Sequence, residues 1–223
     1  MKILTFDTSL DKTYVTLSDD GVILSDEIIE NHNEKYHSAF LMPTIVSILK
    51  KNNLFMQDID AIATNIGPGS FTGIRACVTV ARVFAQQLNV PLVGVSSLEI
   101  LSKIDTTNSR TIVVLDARKK QFYTAIYENG VEILAPALTD ADDVLKFDFA
   151  GAVVVCDEVS AKFLTNVAQN IKIYTDVNCD LGIYLNKIAS ERLVSEQVDI
   201  FHWAKLKPLY LQVPPVSMPS KVK

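Results

Sequence analysis

Gly67-Pro68-Gly69-Ser70-Phe71-Thr72-Gly73-Ile74-Arg75 places three of the chain's eight glycines within seven positions. It follows the apolar run Ile59 to Ile66 and precedes a helical pattern from Ile74 to Leu88, so it reads as a glycine turn between strand and helix. Such a turn leaves backbone N–H groups bare at a helix N-terminus, where an anion or another backbone can approach closely. Both readings stand at this point: a phosphate cradle, or a tight turn that needs small residues at Gly67, Pro68, Gly69 and Gly73. A Walker A loop is excluded, because it ends in Gly-Lys-Ser/Thr and no lysine lies between Lys51 and Lys103.

Upstream of this turn, Lys2 to Asp7 reads as a largely apolar, central strand broken by Asp7-Thr8-Ser9. Lys12 to Ser18 alternates as a half-buried strand, Asp19-Asp20-Gly21 turns the chain, and Val22 to Ile29 returns. Ser38 caps a helix with the apolar stripe Phe40, Leu41, Ile45, Ile48 and Leu49, interrupted by Pro43. Downstream, Val90 to Val95 is a fifth strand, and Ser96-Ser97 caps a helix from Leu98. The order β-β-β-α-β-α-β predicts an α/β lobe with a mixed five-stranded sheet.

Asp105 to Arg110 lacks apolar periodicity, and the pattern restarts beyond it. Strands are expected at Thr111 to Asp116, Gln121 to Tyr127, Val131 to Leu134, Ala152 to Cys156 and Ile171 to Tyr174. Helices are expected at Asp140 to Lys146, Glu158 to Ala168 and Leu181 to Leu193. Both halves open with a strand ending in aspartate, Asp7 and Asp116, followed by a hairpin, which points to internal duplication. The expected division is an N-terminal lobe over 1–104, a smaller C-terminal lobe over 105–212 and a proline-rich tail over 213–223.

The chain has 223 residues, 48% hydrophobic and 21% charged, enough for one large or two small globular units with a substantial core. A formal net charge of -5 argues against the whole surface acting as a nucleic-acid binder, so RNA contact is expected to be supplied or shared by a partner. Cys77, Cys156 and Cys179 are odd in number and widely spaced, which fits reduced thiols rather than a disulfide framework or zinc site. His32, His37 and His202 have no ligand spacing. No apolar run approaches 18 residues and Asp7 interrupts the N-terminus, so a cytoplasmic protein is expected.

Three groups of residues could carry function. Asp7, Thr8 and Ser9, with Asp116 at the matching point of the second half, could hold a phosphate or hydrated magnesium; an Asx turn explains the first three equally well. Arg75 and Arg82 lie two turns apart on the second helix. That helix also carries Ala76, Cys77, Thr79, Ala81 and Ala85, small residues that permit close approach of its own sheet or of a partner helix.

Ile3-Leu4-Thr5-Phe6-Asp7-Thr8-Ser9, the glycine string through Arg75, Gly94-Val95-Ser96-Ser97-Leu98 and Asp116-Ala117-Arg118 occur in order. In this the chain resembles the TsaB (YeaZ) family of bacterial tRNA threonylcarbamoyladenosine biosynthesis proteins, sharply over residues 1–127 and loosely beyond, where Pro208-Leu209-Tyr210-Leu211 recurs. The resemblance implies a two-lobed actin/Hsp70/sugar-kinase-like fold (ribonuclease H-like) with a reduced C-terminal lobe. It implies a non-catalytic subunit that pairs with TsaD and TsaE, or with a second copy of itself, and meets tRNA only through the complex. It implies no cofactor of its own, with ATP or ADP and magnesium placed at the junction with TsaD. TsaD-type relatives hold a metal with His-x-x-x-His after the fifth strand; here those positions are Ser97 and Leu101, and leucine cannot ligate. The implied partner face comprises Arg75, Ala76, Thr79, Arg82 and Val83 with Leu41 and Ile45. Cys77, Thr79 and Val83 stand where relatives favour glycine, and Gln212 where they favour arginine. A stand-alone phosphotransferase using the cleft aspartates and a peptidase acting on TsaD are the competing readings.

Overall fold

The computed structural model describes residues 1–30, 38–176, 180–195 and 198–212. Five strands, β1 (Lys2–Asp7), β2 (Thr13–Asp19), β3 (Val22–Ile29), β4 (Ala61–Asn65) and β5 (Leu92–Val95), form a sheet in the order β3-β2-β1-β4-β5. β1 to β3 are antiparallel neighbours, and β4 and β5 add in parallel to the other edge of β1. A second sheet repeats this plan with β6 (Arg110–Asp116), β7 (Gln121–Glu128), β8 (Val131–Asp140), β9 (Val153–Cys156) and β10 (Ile171–Ile173), ordered β10-β9-β6-β7-β8. Strand for strand the two sheets correspond, which is the duplication the paired openings predicted.

Alternation along the central strands builds three apolar layers. Leu4, Phe6, Ile62 and Leu92 point outward under α1 (Ser38–Lys51) and α2 (Phe71–Leu88). Ile112, Val114, Val154 and Cys156 point outward on the second sheet, beneath α4 (Ala141–Val144) and α5 (Glu158–Leu164). The intervening residues, Ile3, Ala63 and Val93 of one sheet and Val113, Leu115 and Val155 of the other, belong to a shared middle layer filled by α3 (Ser97–Leu101) and α6 (Leu181–Ser195). α6 comes late in the chain yet lies against β1, β2, β4 and β5. Gly182 makes that approach possible, since a methyl there would overlap the Thr16 hydroxyl.

Four boundaries differ from expectation. α2 starts at Phe71, not Ile74, because the Ser70 hydroxyl accepts the Gly73 N–H at 3.3 Å and draws the glycine into the first turn. β8 extends to Asp140 because residues 137–140 pair with β7, and its Pro136 is tolerated on an edge strand. This leaves α4 only four residues. α5 ends at Leu164, where the Thr165 hydroxyl turns back onto the Ala161 carbonyl at 2.9 Å. The end of the chain is not a loose extension as far as it is described. Trp203 and Leu206 pack against the outer core of the first sheet, and the Leu209 N–H donates to the Ile66 carbonyl at 2.8 Å. His32, His37, Cys179 and the expected tail over 213–223 lie outside the described residues. Among those described, no helix is long and apolar enough to cross a membrane.

One carboxyl pair gives α6 a pH dependence. Asp180 Oδ1 accepts the N–H groups of Gly182 at 2.8 Å and Ile183 at 3.3 Å, capping the helix. Its Oδ2 is buried and, among the described residues, accepts no hydrogen bond. The Asp26 carboxyl on β3 faces it, and burial together with the Asp180 carboxylate pushes Asp26 up to about 7. A raised carboxyl binds its proton more tightly in the folded chain, so this contribution is complete below about pH 4 and is lost as pH rises through about 7. Asp26→Asn should remove that slope and raise the melting temperature at pH 8. Because Asp26 is only half-buried, solvent screening limits the gain to about 1 kcal/mol, or about 2–4 °C. Thermal melts between pH 5 and 8 check this; identical slopes in both proteins would contradict it.

Candidate functional site

At the C-terminal end of the first sheet, β1 ends at Asp7 and β4 at Asn65 in adjacent positions. Asp7 Oδ1 accepts both the N–H and the hydroxyl of Ser9, each at 2.6 Å, and Oδ2 accepts Asn65 Nδ2 at 2.8 Å. Asn65 Oδ1 accepts the Gly67 N–H at 2.8 Å and the Ser97 hydroxyl at 2.9 Å. The Thr8 hydroxyl donates to the Gly73 carbonyl at 3.0 Å, and the Thr8 N–H points at Cys77 Sγ, 3.1 Å away. The Ser70 N–H donates to the Ser9 carbonyl at 2.7 Å. The glycine turn is therefore stitched onto the end of β1. A methyl at Gly69 would lie 2.5 Å from the Ser9 carbonyl oxygen, and one at Gly73 would overlap the Thr8 carbonyl. Of the two readings of this turn, backbone packing is the one realised.

The consequence for Asp7, Thr8 and Ser9 is decisive: none is more than 2% exposed, and their polar atoms are satisfied within the chain. Burial raises the Asp7 carboxyl above its ordinary value, although the donors from Ser9 and Asn65 oppose the shift. These three residues do not present an open phosphate site, which corrects the expectation and removes the main support for a phosphotransferase. Asp116 is half-buried and turned to its own hairpin, with Oδ1 accepting the Arg118 N–H at 2.9 Å. Its backbone N–H is held by Asp157 Oδ2 at 2.7 Å. Burial pushes the Cys77 thiol up to about 12, so it is a packed, inert side chain. Ser97 is spent on Asn65, and Leu101 is fully buried in the middle layer.

The second helix divides cleanly. Gly73, Ile74, Cys77, Val78, Ala81 and Ala85 face the chain's own core. Ala81 and Ala85 are therefore not available to a partner, nor are Leu41 and Ile45 of α1, each 1% exposed. This corrects part of the expected face: apolar stripes on both helices are satisfied by the sheet beneath them. What remains outward is Arg75, Thr79 and Val83, with Ala76 and Arg82 half-buried. Val83 is 49% exposed, and α1 adds Met42 at 42% and Val46 at 59%. Arg75 is already engaged at the head of the helix. Its guanidinium lies 3.8 Å from the Phe71 ring centre, and its Nε donates to the Tyr210 hydroxyl at 3.0 Å. The sequence does not single out Asn65, and it marks Tyr210 only as part of Pro208-Leu209-Tyr210-Leu211. The one available signal for Asn65 is an amide at the end of an apolar strand, two residues before the first glycine.

A family model described as TsaD, tRNA N6-adenosine threonylcarbamoyltransferase, matches residues 23–210. The chain belongs to this family. Among its relatives, the tRNA threonylcarbamoyladenosine biosynthesis protein TsaB of Bacillus subtilis is 33% identical over 146 residues, 65% of this chain and 63% of that protein. TsaB of Buchnera aphidicola subsp. Baizongia pistaciae is 26% identical over 222 residues, covering 94% and 97% of the two chains. With several other curated relatives the alignment spans less than two thirds of their length. The structure of YeaZ from Pseudomonas aeruginosa superposes with a TM-score of 0.74 over 94% of this chain and 99% of that one, at 24% identity. The resemblance to the TsaB (YeaZ) branch and the two-lobed α/β fold it implied both hold.

Proposed function

We propose that the chain is an accessory subunit of tRNA threonylcarbamoyladenosine biosynthesis, holding a TsaD-type transferase rather than transferring the group itself. The observation that carries this is the outward face of α2 and α1. Val83, Met42 and Val46 remain exposed on two helices whose inner faces are fully used by their own sheet. Apolar side chains left outward on a rigid helix pair are what a partner helix packs against. The placement of Ser97 and Leu101 supports a non-catalytic role, since one hydroxyl is committed to Asn65 and the other side chain is buried leucine. In this reading TsaE joins through TsaD, and ATP or ADP with magnesium sits at the TsaD junction. A second copy of the chain competes for the same face, and tRNA is met in the assembled complex.

The test is co-purification of TsaD with the double variant Thr79→Arg, Val83→Glu. Both positions are exposed, so the melting temperature should stay within about 2 °C of the parent protein, while the complex weakens at least a hundredfold. Undiminished TsaD binding would rule this face out.

A further inference from the structure

β6 and β7 are joined by Ala117, Arg118, Lys119 and Lys120, and the last three lie in the left-handed region, at φ 65°, 53° and 61°. The Gln121 N–H closes the turn on the Arg118 carbonyl at 2.9 Å. A side chain in this region is disfavoured, so glycine or asparagine would be the easy choice at each position. Three consecutive cations stand there instead, all exposed. Strain kept at a turn without turn-forming residues points to function.

The surroundings sharpen the case. Among the described residues, none of the three side chains has an ion-pair partner. Of the carboxylates beside the turn, Asp116 accepts the Arg118 backbone N–H, Asp140 accepts Gln121 Nε2 at 3.0 Å, and Asp143 pairs with Lys146, whose charge Asp142 also attracts. The matching turn of the duplicated first lobe, at Thr8 and Ser9, is sealed beneath the glycines. One of two equivalent turns is closed, and its counterpart is open and triply basic in a chain of net charge -5.

We propose that the Arg118-Lys119-Lys120 turn binds the phosphate backbone of RNA, supplying this chain's share of the contact with tRNA. The inference rests on the reading of the chain as a tRNA-modification subunit. Closely spaced cations match closely spaced phosphates better than the isolated carboxylates of an acidic protein surface. With no aromatic side chain in the turn, the contact would position RNA without reading its bases.

Binding of fluorescently labelled tRNA transcript, followed by anisotropy at 50–200 mM salt, tests it for the full chain alone and with TsaD. Arg118→Gln, Lys119→Gln, Lys120→Gln is compared with the control Lys162→Gln, Lys187→Gln. Losing three phosphate contacts should weaken binding about tenfold or more at low salt and lower the log–log salt slope by about 2–3. The control should match the parent. Unchanged affinity and slope in the triple variant, equal loss in the control, or no RNA binding by either form would overturn the proposal. So would loss of TsaD binding with RNA affinity intact, which would make the turn a protein contact. Failure of TsaD to co-purify with the parent chain would sink the subunit reading, while the titration of the chain alone would still decide the turn.

Discussion

Gly73→Ala should cost the fold about 3 kcal/mol or more, a large share of the 5–15 kcal/mol that holds an ordinary domain together. The added methyl would overlap the Thr8 carbonyl oxygen, with the Thr8 carbonyl carbon 2.8 Å and Ser9 Cα 3.0 Å away. Nothing at that contact is a flexible side-chain end. Thr8 and Ser9 are main chain leaving β1, tied to the turn by the Thr8 hydroxyl on Gly73 and the Ser70 N–H on Ser9. Relief would require sliding α2 off its own sheet, which would uncover Ile74, Cys77, Ala81 and Ala85 together. Gly21→Ala is the contrasting case. Gly21 sits at φ 79° with nothing within 4 Å of the added carbon, so only the backbone penalty of about 1–2 kcal/mol applies. Urea midpoints of the two variants distinguish a packing glycine from a turn glycine. Equal, small shifts would mean that the elbow is not held closed by backbone contact.

Legibility from sequence followed the range of the interaction. β1, the Asp20-Gly21 turn and the helix at Leu181 are set by local periodicity and turn chemistry, and each appears where the pattern places it. The matching openings at Asp7 and Asp116 were enough to suggest duplicated lobes. Which face of a helix is inward depends on what lies opposite. The small residues of α2 therefore looked available for a partner, although Ala81 and Ala85 are buried by the sheet. The same limit governed Asp7-Thr8-Ser9: short polar residues at a strand end look alike whether they await a phosphate or cap their own backbone. Only the close approach of Gly69 and Gly73 decides between them. Likewise, Leu206 and Leu209 gain meaning only from contacts with the first lobe, far earlier in the chain, as in the bond from Leu209 to Ile66.

The second large effect is expected at Asn65, whose amide joins three pieces of chain. Its Nδ2 donates to Asp7, and its Oδ1 accepts from the glycine turn at Gly67 and from α3 at Ser97. The residue is fully buried, so Asn65→Ala would strand a carboxylate oxygen, an N–H and a hydroxyl away from water. Each stranded group costs about 1–3 kcal/mol, giving an expected loss of about 3–5 kcal/mol once partial relaxation is allowed. Asn65→Asp separates this network from a simple packing role. It would set a second carboxylate against Asp7, which burial already holds above the ordinary carboxylate range. Each raised carboxyl takes up its proton on folding, so stability should fall as pH rises from the unfolded value through the folded one. Asn65→Asp should thus fold best in acid and lose structure towards neutrality, whereas Asn65→Ala should be weakened at every pH. Circular dichroism melts from pH 4.5 to 8 would show this difference. Parallel pH profiles for the two variants would mean that Asn65 acts by filling space and not by pairing with Asp7.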